Sequence, residues 1–434
     1  MKTKILSLLL CLTLLCTSGL LTSCGFFTED TNEPPIEIVE YSKEDLEALL
    51  NQIIGERTET NFNVNDIVIN SKEPSSLLAA AKGLLSTVSI VSTFQVKQYI
   101  GFGPIRDWVT DEAKAAGSGV IFRMSEEDKI SGTAYIITNY HVIYNASSTA
   151  EDGIASKIQL FLYGMEKAKY AIDAEFVGGS MRYDIAVLKV KASDILRKSN
   201  AVEATFVNSD EVSILETAIA IGNPEADGIS ATVGHINVDS EYVEITLADD
   251  MTLANMRLMR IDTAINGGNS GGGLFNAQGE VIGIVNAKIV SSKIDNIAYA
   301  IPSNVARFIA ENIIDHSESG KCAKKAKIGI TLSSDPNSYS VYDPETGKVH
   351  IVEEVVFADI TKNSLAEGKL EIGDIVTAIQ IGNHDKIEVT RNYNITERMF
   401  LARVGDIVVL DIVRDGVAMS ISITVTESSI TNIE

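Results

Sequence analysis

From residue 84 onward the chain is a succession of short apolar or alternating runs, at 88–91, 119–122, 134–138, 158–163, 185–190, 218–221 and 281–285. Each is too short for an amphipathic helix, and together with their intervening turns they predict many short strands in a sandwich or barrel. No helical segments of about 10 to 15 residues alternate with them, which argues against a doubly wound parallel sheet. The block closes on a helical stripe, Val305, Phe308, Ile309 and Ile313. With 434 residues the chain exceeds what one core usually holds, and a second unit begins near Lys327, after a polar, lysine-rich stretch at 315–326 that reads as a hinge.

The N-terminus has a different character. Lys2 and Lys4 precede an apolar stretch over residues 5–21, followed by Leu21-Thr22-Ser23-Cys24-Gly25. Its length and its dilution by Ser, Thr and Gly suit a cleaved export signal better than a spanning helix. Leu-Thr-Ser-Cys resembles the lipobox of bacterial lipoproteins, which implies lipidation of Cys24 and anchoring to a membrane without crossing it. Cys11 and Cys16 would leave with the signal, so Cys322 remains as a lone thiol and no disulfide framework is possible. Residues 24–83 read as a tether with a short helix at 42–54, whose apolar face carries Leu46, Leu49, Leu50 and Ile53.

Charge excludes one class of partner. With 36 basic against 59 acidic side chains the formal net charge is −23, the opposite of what a phosphate backbone requires, so nucleic acid is disfavoured.

The strongest local signal for chemistry is Asn266-Gly267-Gly268-Asn269-Ser270-Gly271-Gly272-Gly273-Leu274, a serine in a glycine-rich loop directly before an apolar strand. Such a loop can converge backbone N–H groups on a developing oxyanion; the loop residues Gly268, Asn269 and Ser270 are the candidates, the Gly268 and Ser270 amides foremost. A phosphate-binding loop fits less well, because no Gly-Lys-Ser/Thr and no helix follow. A serine hydroxyl needs an adjacent base and a group that orients the base. Of five histidines, His141 ends an apolar strand in Ile136-Ile137-Thr138-Asn139-Tyr140-His141, and Asp184 heads the apolar run Ile185-Ala186-Val187-Leu188. A buried carboxylate there requires a partner. The order His, Asp, Ser is that of chymotrypsin-type enzymes.

These residues, with Gly117-Ser118-Gly119-Val120-Ile121, Ala218-Ile219-Ala220-Ile221-Gly222-Asn223-Pro224 and Ala300-Ile301-Pro302-Ser303-Asn304, resemble the HtrA/Deg family of chymotrypsin-fold serine proteases, over about residues 84–314. The resemblance implies a mostly β fold, two six-stranded chymotrypsin-like β-barrels with the triad between them. His141 is then the general base, Asp184 its orienter and Ser270 the nucleophile, with no metal or organic cofactor. It also implies a trimer-based homo-oligomer. Gly267 and Gly273 stand where the family usually has proline, which predicts a less preorganised oxyanion loop. Ala264 and Ile265 offer no charge to a substrate side chain, so the specificity pocket is expected to take small aliphatic residues.

The second unit, 327–434, resembles a PDZ domain in Lys327-Ile328-Gly329-Ile330, in residues 364–379 and in 408–413, with Arg414-Asp415-Gly416 as a closing hairpin. Residues 364–379 by themselves predict a short helix, a turn and a strand. PDZ domains add an extended peptide to a sheet edge and hold its terminal carboxylate on backbone amides, which assigns peptide binding to Ile328, Gly329 and Ile330. The expected partners are unfolded or exposed polypeptides at the protease and C-terminal peptides at the PDZ unit. The competing expectation is a peptide-binding envelope stress sensor or chaperone with a weak or silent protease domain.

Overall fold

A computed structural model describes residues 76–433, apart from 103–104, 225–226, 289–296, 319 and 335–336. The export signal, Cys24 and the helix expected at 42–54 lie outside the described residues.

Six antiparallel strands, β1 (Thr87–Phe102), β2 (Ile105–Arg123), β3 (Ala134–Thr138), β4 (Lys157–Leu162), β5 (Ile172–Ser180) and β6 (Ile185–Val190), close into a barrel in the order β1-β2-β3-β6-β5-β4. A second closed barrel follows the order β10-β11-β12-β9-β8-β7. It is built from β7 (Thr217–Gly222), β8 (Ser230–Thr246), β9 (Leu253–Ile261), β10 (Gly273–Phe275), β11 (Val281–Asn286) and β12 (Ala298–Pro302). Burial follows sequence. Every residue of β11 is buried, as are five of the six in β6, because both faces of these strands meet protein; β4 alternates, one face on the core.

The helix Ser303–Asp315 turns its predicted stripe inward, with Val305, Phe308, Ile309 and Ile313 all buried in a core shared by strands of both barrels, among them Ile137 and Val187 of the first and Ile221 and Ile284 of the second. The helix Ser76–Ser86 also packs there. Ala79 is fully buried, and a Cβ at Gly83 would come within 2.3 Å of Ile221 Cδ1. The packed body therefore starts upstream of residue 84.

After the barrels come β13 (Ala323–Ala326), β14 (Ile330–Ser333), β15 (Ser338–Tyr342), β16 (Val349–Glu353), β17 (Val356–Ile360), β18 (Ile375–Ile381), β19 (Ile387–Glu388), β20 (Ile407–Arg414), β21 (Val417–Thr424) and β22 (Ile430–Ile433). A sheet runs β14-β17-β18-β20-β21 with β19 on β18, and β14 is an outer edge. Val376, Ile379, Val408, Leu410, Ile412 and Ile423 fill its core. Asp415 (φ 49) and Gly416 (φ 78) make the two-residue turn expected between β20 and β21.

Two sequence expectations are corrected. Residues 364–374 form turns rather than a helix, anchored by Ala366 N–H to Ile328 O at 3.0 Å, with Gly368 and Gly373 at positive φ. The stretch at 315–326 is docked, not a free hinge. Gly179 N–H donates to Lys321 O at 2.7 Å, β13 pairs with β22, and Ala323 and Ala326 are buried. Its lysines mislead because their stems pack while their heads find partners. Lys325 Nζ lies 4.9 Å from the centre of the Phe400 ring and 3.3 Å from Tyr183 Oη.

Candidate active site

Each predicted triad residue follows or precedes a strand that fixes its backbone. β3 ends at Thr138, and the chain turns into the short helix Tyr140–Ile143, which carries His141. Asp184 closes a turn, its N–H donating to Met181 O at 3.2 Å, and enters β6 with φ 50, a left-handed conformation that Asp tolerates better than most residues. Asn139 spans the two segments, its Nδ2 donating to Asp184 O at 2.9 Å.

The Asp184 carboxylate is 5 % exposed and fully employed. Oδ1 accepts the His141 backbone N–H at 2.9 Å; Oδ2 lies 2.7 Å from His141 Nδ1 and accepts Asn286 Nδ2 at 2.8 Å. The partner that a buried Asp demands is thus His141, and Asn286, the last residue of β11, is a second that sequence reasoning missed.

The next residue, Ala287, donates its N–H to Ser270 Oγ at 3.2 Å. Consecutive residues at the end of β11 therefore fasten Asp184 and Ser270, and Asp184 fastens His141, so three residues far apart in sequence converge at one strand end. Among the described residues Ser270 Oγ and His141 share no hydrogen bond. Catalytic contacts of this kind are often long until substrate is engaged.

The loop before Ser270 is two successive turns. Asn269 N–H donates to Asn266 O at 3.1 Å, and because Gly268 has φ 93 while Gly267 is not in the left-handed region, this turn is type II. Gly272 N–H donates to Asn269 O at 3.0 Å around Gly271 (φ 82), where a Cβ would sit 2.2 Å from Ser118 O. The Asn269 amide is therefore spent on the turn and leaves the set of oxyanion donors. Among the described residues the amides of Gly268 and Ser270 have no protein acceptor.

Gly267 and Gly273 part company here. A Cβ at Gly267 meets nothing within 4 Å, so its freedom is real. Gly273 sits in β10 between Ile221 and Ile284, and a Cβ would come within 2.4 Å of Phe275 Cε2, so it is glycine for space and not for loop mobility.

Ala264 is exposed, and its carbonyl accepts Thr232 Oγ1 at 2.8 Å; Ile265 is half-buried against the cluster of Ala218, Leu274 and Val285. In the C-terminal sheet, Ile328 is 2 % exposed with its side chain in the core, so only its backbone is available to a ligand. Gly329 has φ 87 and lies against Ser364, and Ile330 opens the edge strand β14.

Comparison with known proteins agrees with this geometry. Residues 117–284 match the trypsin-like peptidase domain. The chain is 30% identical over 332 residues to "Serine protease Do-like HtrA" of Lactococcus lactis subsp. lactis (strain IL1403), covering 73% of this chain and 72% of that protein. It is 31% identical over 337 residues to "Probable periplasmic serine endoprotease DegP-like" of Chlamydia trachomatis, covering 76% of this chain and 58% of that one. Among solved structures, the HtrA-type protease AlgW with a tripeptide superposes with a TM-score of 0.50 at 22% identity, covering 81% of this chain and 97% of AlgW.

Proposed function

This chain belongs to the HtrA family of Do-like serine proteases and is a peptide-bond hydrolase; from that premise we propose that it is an extracytoplasmic, membrane-anchored endopeptidase in which Ser270, His141 and Asp184 form the catalytic triad. The observation that carries the reading is the double fastening at the end of β11, Asn286 on Asp184 and Ala287 on Ser270.

His141 Nε2 takes the Ser270 proton as Oγ attacks the substrate carbonyl, and later returns it to the leaving amine. Asp184 holds the Nδ1–H tautomer and stabilises the imidazolium. The Gly268 and Ser270 amides bind the oxyanion of the tetrahedral intermediates on either side of an acyl-enzyme, each donor being worth about 3 to 4 kcal/mol of barrier. The protease domain spans 84–314 together with the helix Ser76–Ser86. Export and lipidation at Cys24 are supported by the signal-like N-terminus, and the name of the chlamydial relative agrees with an extracytoplasmic site. The unit at 327–434 acts as a PDZ domain that takes a C-terminal peptide along β14, with the backbone of Ile328, Gly329 and Ile330 at its carboxylate, and regulates a trimer-based assembly.

Labelling by a fluorophosphonate tests the nucleophile: the full-length protein is expected to label, and Ser270→Ala not to. A wild-type chain that never labels, with or without peptide, sinks the protease reading and leaves a peptide-binding sensor or chaperone. Specificity has its own test. In a peptide library, cleavage is expected after small aliphatic residues, and preferential cleavage after Lys or Arg contradicts the roles given to Ala264 and Ile265.

A further inference from the structure

Ser118 lies in β2 of the first barrel, whereas the nucleophile loop belongs to the second, and Ser118 is fully buried. Its N–H donates to Ser270 O at 2.8 Å and its Oγ donates to Gly268 O at 2.8 Å. The same Oγ accepts the Asn223 N–H at 2.8 Å, which aims the hydroxyl proton at Gly268, and Ser118 O accepts Thr138 Oγ1 at 2.6 Å.

Taken peptide by peptide, the loop is pinned in a pattern. The Gly268–Asn269 peptide is held at both ends, its N–H by Asn266 O and its C=O by Ser118 Oγ. The Ser270–Gly271 peptide is also held at both ends, its C=O by Ser118 N–H and its N–H by Val285 O. The Gly267–Gly268 peptide, which supplies the first oxyanion donor, makes no hydrogen bond among the described residues and lies between two glycines. Rotating it costs little sterically, so its orientation is inherited from the pinned peptide that follows.

We propose that Ser118 is a positioning residue for catalysis: its hydroxyl, reaching from the first barrel, keeps the Gly268 amide turned toward the oxyanion. The inference rests on Ser270 being the nucleophile. A consequence follows for Gly267, the first central residue of the type II turn, where proline is favoured because its fixed φ matches. Gly267→Pro supplies by chain stiffness what Ser118 supplies by hydrogen bonding, and a Cβ at Gly267 meets nothing within 4 Å.

Ser118→Ala in the full-length protein is expected to lower kcat for a peptide substrate by about ten- to a hundredfold, part of the roughly 10²–10³ lost when an oxyanion donor is removed outright. KM should be unchanged, and fluorophosphonate labelling should slow in parallel. Adding Gly267→Pro to Ser118→Ala should recover most of kcat. Wild-type kcat in Ser118→Ala overturns the proposal, as does a loss that Gly267→Pro fails to recover, since a merely structural defect is indifferent to that turn. Should Ser118→Ala not fold, Ser118→Cys, whose thiol is a weak donor, carries the same two outcomes. A wild-type chain that does not label refutes the nucleophile itself, a result distinct from a labelled wild type with an equally labelled Ser118→Ala.

Discussion

Asp184→Asn lowers kcat by about four orders of magnitude, about 5 kcal/mol of barrier, and leaves the fold intact. The size follows from which atoms can change roles. The carboxylate accepts three N–H donors, the His141 backbone at Oδ1 and both His141 Nδ1 and Asn286 at Oδ2. An amide has one acceptor oxygen, so its NH₂ must replace one of these acceptors. A backbone N–H cannot become an acceptor, whereas imidazole can exchange tautomers and Asn286 can turn its own oxygen forward. The NH₂ therefore settles at the Oδ2 position and donates to Nδ1, which drives the ring proton onto Nε2. The nitrogen that should accept the Ser270 proton is then already protonated. Asn occupies φ 50 as readily as Asp, so the backbone is not strained by the change. Steady-state kinetics with a peptide substrate, alongside a melting curve, checks the expectation; a loss below about tenfold in a folded variant would mean that Asp184 does not set the tautomer.

Removing the other ligand of Oδ2 is milder. Asn286→Ala leaves His141 and the backbone N–H on the carboxylate, so the ring keeps its tautomer and loses only restraint, and it falls well short of the Asp184→Asn effect.

How much of this was legible in the sequence depends on whether a residue's partner was local. His141, Asp184 and Ser270, the proposed triad, stood out in the sequence because each lies near a strand boundary and they occur in the order His, Asp, Ser. Asn286 could not, since its partner lies 102 positions away and its own signal is only a polar residue ending an apolar run. Ser118 lies in the Gly117-Ser118-Gly119-Val120-Ile121 motif, yet nothing in Gly117-Ser118-Gly119 says that its hydroxyl crosses to the other barrel. The long strands β8 and β9 were invisible for another reason: Val233, Tyr242 and Leu253 are exposed, so the contrast between inward and outward positions on which a period-2 reading depends is weak. The lysine-rich stretch at 315–326 was misread because composition reports charged heads and not where the stems lie. The C-terminal sheet was readable at β20, whose alternation is clean, and at β18, whose apolar run survives a bulge between Val376 and Ala378, and unreadable at 364–374, where the turns are set by Ala366 reaching Ile328.

The C-terminal unit is joined to the second barrel by an ion pair that no local pattern announces, made by Glu397 just after the short helix Asn392–Thr396, and breaking it carries the largest stability effect. Arg257 of β9 donates Nε to Glu397 Oε1 at 2.7 Å and Nη2 to Glu397 Oε2 at 2.8 Å, and its guanidinium stacks 3.7 Å from the centre of the Tyr393 ring. Arg257 and Glu397 are 5 % and 6 % exposed, and Asp210 and Lys325 also face the pair. Burial pushes the Glu397 carboxyl up to about 7 although Arg257 pulls it down, so desolvation is incompletely repaid. Arg257→Met strands a buried carboxylate and should cost about 3 to 5 kcal/mol, while the double change Arg257→Met/Glu397→Leu, which removes both charges and keeps apolar volume, should return to near wild type. The sign with pH is fixed by the raised value: Glu397 contributes stability that is fully present below its unfolded value and is lost as pH rises through about 7. Denaturant unfolding in a Ser270→Ala background, which prevents self-cleavage, should therefore give a lower midpoint at about pH 8 than at about pH 5.5. The difference should widen in Arg257→Met and shrink in the double variant. A double variant as unstable as Arg257→Met would show that the pair is favourable in itself, rather than merely costly to leave half-made.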